Sequence, residues 1–151
     1  MEIRVVAEGQ SKSPTQMEVQ TGKFKLVIDE PASMGGTDAG PSPMQALLMA
    51  LAGCLNMTGH FVAQQQGITI KNMKVKLEGV MNPGRFMGMP TNERSGFQEI
   101  TVQINADFAD ADQKTIQRWL EETESRCPIT DNIRQKTKII VNAENQPEMA
   151  H

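Results

Sequence analysis

Histidine and cysteine are scarce in this chain: two of each in 151 residues, with one histidine the last residue. No pair stands at metal-ligand spacing, which argues against a metal centre. A clustered basic face is missing too. Fifteen Lys and Arg stand against 18 Asp and Glu, for a formal charge of −3, and a nucleic-acid binder would gather its cations on one surface. Lys71, Lys74 and Lys76 read instead as the solvent side of a strand. Repeats and low-complexity tracts are absent. The N-terminus lacks the charged-then-apolar pattern of a signal sequence, so the expected compartment is the cytoplasm. There, two cysteines read as free or catalytic thiols rather than as a structural bridge. The wholly apolar run, Ala46 to Leu55, is well short of the roughly 20 residues of a bilayer crossing. No membrane partner is expected.

That run is also the most informative stretch present. Ser42, Pro43 and Gln45 open a helix: the serine accepts from the amide three residues on, the glutamine reaches back, and proline suits the first helical position. Gly67 closes it. Residues 43–66 would extend about 36 Å at 1.5 Å per residue. With no polar side chain from Ala46 to Leu55, its first half is expected to be buried all round. Ala46, Ala50 and Gly53 form one stripe of small residues, which lets a second helix approach closely. Cys54 lies on another stripe, with Leu47, Leu51, Thr58 and Phe61.

Around this helix the patterns predict strands at 2–8 and 15–20, a tight turn at Thr21-Gly22, and a strand at 23–30 in which Phe24, Leu26 and Ile28 alternate with polar residues. Residues 31–41 form a loop. Ile68 and Ile70 share one face, and Met73, Val75 and Leu77 another, so the parity change near Lys71-Asn72 predicts a bulge. Residues 81–96 are a long aperiodic connection, rich in methionine, of the kind usually tied to function or a partner. A strand follows over 97–107. A second helix is capped by Asp110 or Asp112, with Ile116, Trp119, Leu120 and Thr123 inward. Cys127-Pro128 breaks it, PITDNI starts another helical turn, and residues 136–144 return as a last strand. This order is α+β with antiparallel pairing in a single domain, residues 1–151. One curved sheet covers only one side of so apolar a helix, so a homodimer is expected.

Cys54 alone reads most simply as a small core hydrophobe. Its helical neighbours Ala50, Leu51, Met57 and Thr58 carry no charge, and it is too far along the helix to feel the N-terminal dipole. Cys127 is better placed to ionise, beside Arg126 and at the start of a new helix. His60 falls about 120° from Cys54 on the helix and reads as a wet-face residue. The two cysteines are 127 − 54 = 73 residues apart, so only the fold can bring them together.

The motif GGTDAGPSPMQALLMALAGC, followed much later by CPITDNI, resembles the OsmC/Ohr family of osmotically inducible and organic hydroperoxide resistance proteins. The resemblance implies an interlocked homodimer with a sheet wrapped on a long central helix. It implies a thiol-dependent hydroperoxide reductase serving oxidative stress defence, with Cys54 as the peroxidatic and Cys127 as the resolving residue. The partners so implied are a small hydroperoxide and a lipoamide-type dithiol reductant, with no metal, haem or flavin cofactor. The chain departs from the family pattern at two places. Where a glutamate precedes the first cysteine by ten residues stands Met44, followed by Gln45, which faces away from Cys54 on a straight helix. Where the first strand loop supplies an arginine, Lys12 is the only cation, and it lacks the two-donor fork of a guanidinium. Arg85, Arg94 and Arg126 are the other candidate cations. With the activating shell incomplete, the alternative is an OsmC-like dimer of low peroxidase activity that binds a small apolar ligand or senses redox state.

Overall fold

The computed structural model describes residues 1–143. Three short strands come first, β1 (Glu8–Ser11), β2 (Met17–Thr21) and β3 (Phe24–Ile28), followed by the long helix α1 (Pro43–Gln66). Strands β4 (Ile70–Val80) and β5 (Glu99–Phe108) precede two helices, α2 (Gln113–Arg126) and α3 (Pro128–Arg134). Every strand pairing is antiparallel, so the fold is α+β. The strands divide into two sheets, β1-β2-β3 and β4-β5. The bulge foreseen near Lys71-Asn72 is present as a register shift between Ile70 and Asn72. It brings Met73, Val75 and Leu77 onto the face turned to α1.

Helix α1 begins and ends where its chemistry dictates. Ser42 Oγ accepts from the Gln45 amide at 3.2 Å, and Gln45 Oε1 accepts from the Ser42 amide at 2.9 Å. Pro43 fills the first helical position and Gly67 leaves the helix in the left-handed region, φ 69°. Two clusters pack against the helix. Leu51, Cys54 and Leu55 meet Cys127, with Val75, Leu77 and Ile100 alongside. One to two turns later, Val62 and Ala63 meet Trp119, with Met73, Ile104 and Phe108 alongside. The Trp119 indole N–H donates to the Gly59 carbonyl at 2.8 Å, and Phe108 meets its ring edge-on at 5.0 Å. A Cβ at Gly59 would lie 3.0 Å from the indole, so the ring would have to shift to admit one. This contact sets the depth at which α2 lies on α1.

Between β3 and α1 the loop is built on one carboxylate. Asp29 is fully buried and accepts from the Thr37 hydroxyl at 2.6 Å and from the amides of Glu30, Thr37 and Ala39 at 2.8–3.2 Å. A side chain at Gly36 or Gly40 would run into the backbone at Glu30 or Val27, so the loop closes tightly and presents Ser42 as the helix cap. The Thr37 hydroxyl, helped by the amides of Glu30 and Ala39, holds the Asp29 carboxyl far below its ordinary value despite burial.

Three expectations are corrected. The first strand starts at Glu8 rather than at residue 2, because only residues 8–11 find β2 alongside them. Residues 136–143 form no strand: Ile139, Ile140 and Val141 are 68–86 % exposed, and among the described residues no strand lies beside them. (Glu144, at the end of that expected strand, lies outside the described residues.) Finally, the first half of α1 is buried on one side only. Leu47, Met49, Ala50 and Gly53 remain exposed, since β4-β5 and α2-α3 together cover just one face. By length and mean hydropathy the full helix would suffice to cross a membrane, unlike its ten-residue core. In this fold it is the helix on which both core clusters form.

The Asp29 interaction predicts acid lability. A carboxyl depressed in the fold stabilises it above the unfolded value near 3.8 and progressively loses that contribution as pH falls below it. Thermal melts from pH 7 to pH 2 should steepen below about pH 4. Asp29→Asn should lower Tm at pH 7 by several degrees and remove most of that steepening. An unchanged acid limb in the variant would contradict this role.

Candidate active site

The fold closes the gap of 73 residues. Cys54 Sγ and Cys127 Sγ lie 2.9 Å apart as hydrogen-bonded thiols, with Cys54 8 % exposed and Cys127 fully buried. Cys54 comes from the third turn of α1, on the face that meets α3. Cys127 stands at the joint of α2 and α3, extended at φ −73°, ψ 113°. Pro128 causes that joint, since the residue before a proline is pushed out of the helical region while proline itself suits the first turn of the next helix. The Cys-Pro step therefore turns the chain and lowers the sulfur onto α1. Both cysteines are free, and an approach of about 0.9 Å would bring the sulfurs to bonding distance.

The two thiols are electrostatically unequal. Burial, reinforced by the neighbouring Cys127 thiol, pushes the Cys54 thiol up, against the Ile129 amide and the Thr58 hydroxyl. Burial pushes Cys127 up as well. Hydrogen bonds from the Cys54 thiol, from the hydroxyl and amide of Thr130, and from the Ile129 amide outweigh it, so Cys127 ends below its ordinary value. The two thiols lie 2.9 Å apart and titrate as a pair. Reading the sequence missed the part played by Thr58 and Thr130. The available signal was spacing, four residues after Cys54 and three after Cys127.

No cation is among the groups that shift either thiol. Lys12 sits in the turn between β1 and β2 and is not brought to Cys54 within the chain. Gln45 is committed to its cap. Arg126 donates to Gln65 at 2.7 Å and lies over the Phe61 ring at 5.4 Å, which ties α2 to the far end of α1. Arg85 and His60 are exposed. Arg94 alone of the candidate arginines lines the main cavity.

That cavity is a groove of about 860 Å³ between α1, β5, α2 and α3. Leu51 and Leu55, which flank Cys54, form part of its wall, with Ile100, Ile129 and Ile133 opposite. Met44, at the position of the missing glutamate, lies at one end, and residues 94–98 of the long connection close another side. Phe86, Met87 and Met89 of the same connection are exposed and do not line it.

A family model described as OsmC-like protein matches residues 36–142, a span that holds both cysteines. The chain belongs to the OsmC-like family. An OsmC-like protein from Mycoplasma pneumoniae matches with a TM-score of 0.76 at 21 % identity, over 89 % of each chain. The organic hydroperoxide resistance protein OsmC from Legionella pneumophila gives 0.64 at 22 % identity, over 87 % of this chain and 90 % of that one. The organic hydroperoxide resistance protein OhrB of Bacillus subtilis gives 0.57 at 19 % identity, over 87 % and 91 %. At these identities the likeness is one of fold. No curated protein matches the sequence. The span matched holds a buried dithiol whose shifts are set by amides and hydroxyls and by each other.

The unequal thiols make opposite predictions for the two single variants. In Cys54→Ala, Cys127 loses a hydrogen-bond donor, so its thiolate should appear at higher pH than the first thiolate of the wild type. In Cys127→Ala, Cys54 loses the neighbour that opposes its ionisation and should titrate lower than Cys54 in the intact pair. Ultraviolet thiolate absorbance against pH reads both, and identical curves would contradict the coupling.

Proposed function

We propose that this OsmC-like protein is a thiol-dependent hydroperoxide reductase acting in oxidative stress defence. The observation that carries this reading is the 2.9 Å separation of Cys54 and Cys127 Sγ beside a largely apolar groove. Cys54 is the peroxidatic residue, because it retains some exposure and is flanked by groove-lining leucines. Its thiolate attacks the distal oxygen of ROOH, the O–O bond breaks, and the organic fragment leaves as the alcohol. Cys54 is then a sulfenic acid. The Cys127 thiol displaces its oxygen as water and forms the Cys54–Cys127 disulfide. Two electrons have passed from the sulfurs to the peroxide, and an external dithiol such as reduced lipoamide returns them by thiol–disulfide exchange. The departing alkoxide takes the proton that left Cys54, and the Cys127 thiol stands close enough to meet the sulfenic acid as it forms.

A homodimer fits the surface the chain leaves uncovered. The stripe Leu47, Met49, Met57 and Phe61 on α1, and Phe24 and Leu26 on the three-stranded sheet, are exposed apolar faces. A second copy that laid its first sheet over α1 would cover both at once, and would give the strand-like segments at 2–7 and 136–143 edges to join. Such a copy would also decide where Lys12 lies relative to a cysteine pair.

A second reading rests on the absence of a cation around either thiol. Cysteine peroxidases activate the thiolate with neighbouring positive charge, and a site without it favours a dimer whose groove binds a small apolar ligand or whose cysteine pair senses redox state. One titration separates the two. Under the enzyme reading, one equivalent of cumene hydroperoxide converts the reduced protein to the disulfide within seconds, and hydrogen peroxide is slower. Cys54→Ser should abolish turnover by at least 10³-fold, roughly the cost of losing a catalytic nucleophile. Cys127→Ser should consume one equivalent and stop. Sluggish, equal oxidation by both peroxides would favour the binding reading.

A further inference from the structure

Helix α3 is lightly anchored for an element that helps to build the sulfur pair. It is seven residues long and none of them is buried. Ile129 and Ile133 rest half-buried against the cluster of Leu51, Cys54 and Leu55, and the Asn132 amide is spent within the helix, on the Pro128 carbonyl at 2.9 Å. Among the described residues, one side-chain hydrogen bond joins α3 to another helix or strand. Arg134, at the end of α3, donates through Nη2 to Glu124 Oε1 of α2, as an ion pair. The bond therefore spans the Cys127-Pro128 joint. On its near side α2 is fixed to α1, by the Trp119 indole at Gly59 and by Arg126 at Gln65. On its far side the chain has little freedom except at the joint itself. Proline locks its own φ, so a swing of α3 against α2 turns on the backbone dihedrals of Cys127, the residue whose sulfur faces Cys54.

We infer that Glu124 and Arg134 are positioning residues for closure of the Cys54–Cys127 disulfide: their ion pair holds the angle between α2 and α3, and with it Cys127 Sγ at 2.9 Å from Cys54 Sγ. Neither side chain is among the groups that shift the Cys127 thiol, so the pair acts through position rather than through charge at the sulfur. Two thiols held together meet at a high effective concentration, which favours the disulfide over the dithiol and speeds its closure. With glutathione disulfide as oxidant, two electrons and two protons pass from the protein thiols, and two glutathione thiols are released. That equilibrium needs only the sulfur pair. Closure after peroxide attack, in which the Cys127 thiol displaces the oxygen of the Cys54 sulfenic acid as water, rests on the reductase reading. The Glu124 and Arg134 side chains are 48 and 60 % exposed, so the pair is screened by solvent, and its effect is about two- to fivefold in an equilibrium constant.

Glu124→Gln and Arg134→Gln should each lower the equilibrium constant for the Cys54–Cys127 disulfide in glutathione redox buffers, by about two- to fivefold. Alkylation of the remaining thiols and mass spectrometry read it. The reversed pair, Glu124→Arg with Arg134→Glu, should restore most of the loss. Sodium chloride at about 1 M should bring wild type and single variants together, because it screens exposed charges. A residue that only supported the fold would lower Tm without moving this equilibrium. With cumene hydroperoxide and excess dimedone, which traps sulfenic acids, the single variants should give more tagged Cys54 and less disulfide than the wild type. If both single variants match the wild type in the glutathione buffers, or the reversed pair recovers nothing, the inference is overturned. If glutathione closes the pair while peroxide leaves both thiols free, the reductase reading falls and the glutathione comparison alone decides the inference. A wild type whose thiols stay free with both oxidants overturns the two together.

Discussion

The apolar surface of α1 is the constraint on which the other elements depend. A helix with no polar side chain from Ala46 to Leu55 has to be covered, and each later element covers part of it. The β4-β5 hairpin takes one strip through Met73, Val75 and Leu77, and α2 takes the next through Trp119 at Gly59. The Cys127-Pro128 joint then folds α3 against the first half of the helix. The sulfur pair is a product of this covering: Cys54 and Cys127 are close because the two helical elements that carry them close one core cluster. The functional site and the hydrophobic core share the same residues.

That sharing shapes the chemistry. Burial protects the thiols from solvent but disfavours charge on either of them, and no lysine or arginine is among the groups that compensate. Amides and hydroxyls take over in part. Thr130 and Ile129 lower Cys127, while Thr58 and Ile129 only moderate the rise at Cys54. Neutral dipoles stabilise a thiolate less than a fixed cation does, yet they need no ion buried next to apolar Leu51 and Leu55. The result is a close, buried pair of free thiols. Leu51, Leu55, Ile100, Ile129 and Ile133 give the groove beside it an apolar wall.

Much of this was legible in the sequence. The Ser42-Pro43-Gln45 box, Gly67, the bulge near Lys71-Asn72 and the break at Cys127-Pro128 are local signals, and each stands where it was read because local hydrogen bonds or steric clashes decide it. The two cysteine motifs identified the pair that the fold brings together. What the sequence did not reveal depends on neighbours. Residues 2–7 and 136–143 carry strand-like alternation, yet a strand exists only beside another, and the described residues offer none there. The one-sided burial of α1 has the same origin. Thr123 is buried with its hydroxyl unpartnered, and this was invisible for a different reason: its inward stripe was predicted, but whether a buried hydroxyl finds a partner depends on distances that periodicity does not contain.

The central claim is that hydroperoxide joins Cys54 to Cys127 of the same chain. The most direct measurement mixes isotope-labelled and unlabelled protein, re-equilibrates any oligomer, adds one equivalent of cumene hydroperoxide and maps disulfide-linked peptides by mass spectrometry. The account predicts Cys54–Cys127 peptides in which both halves carry the same label, formed in proportion to the peroxide added. Mixed-label peptides, or peroxide consumed with both thiols still free, would contradict it.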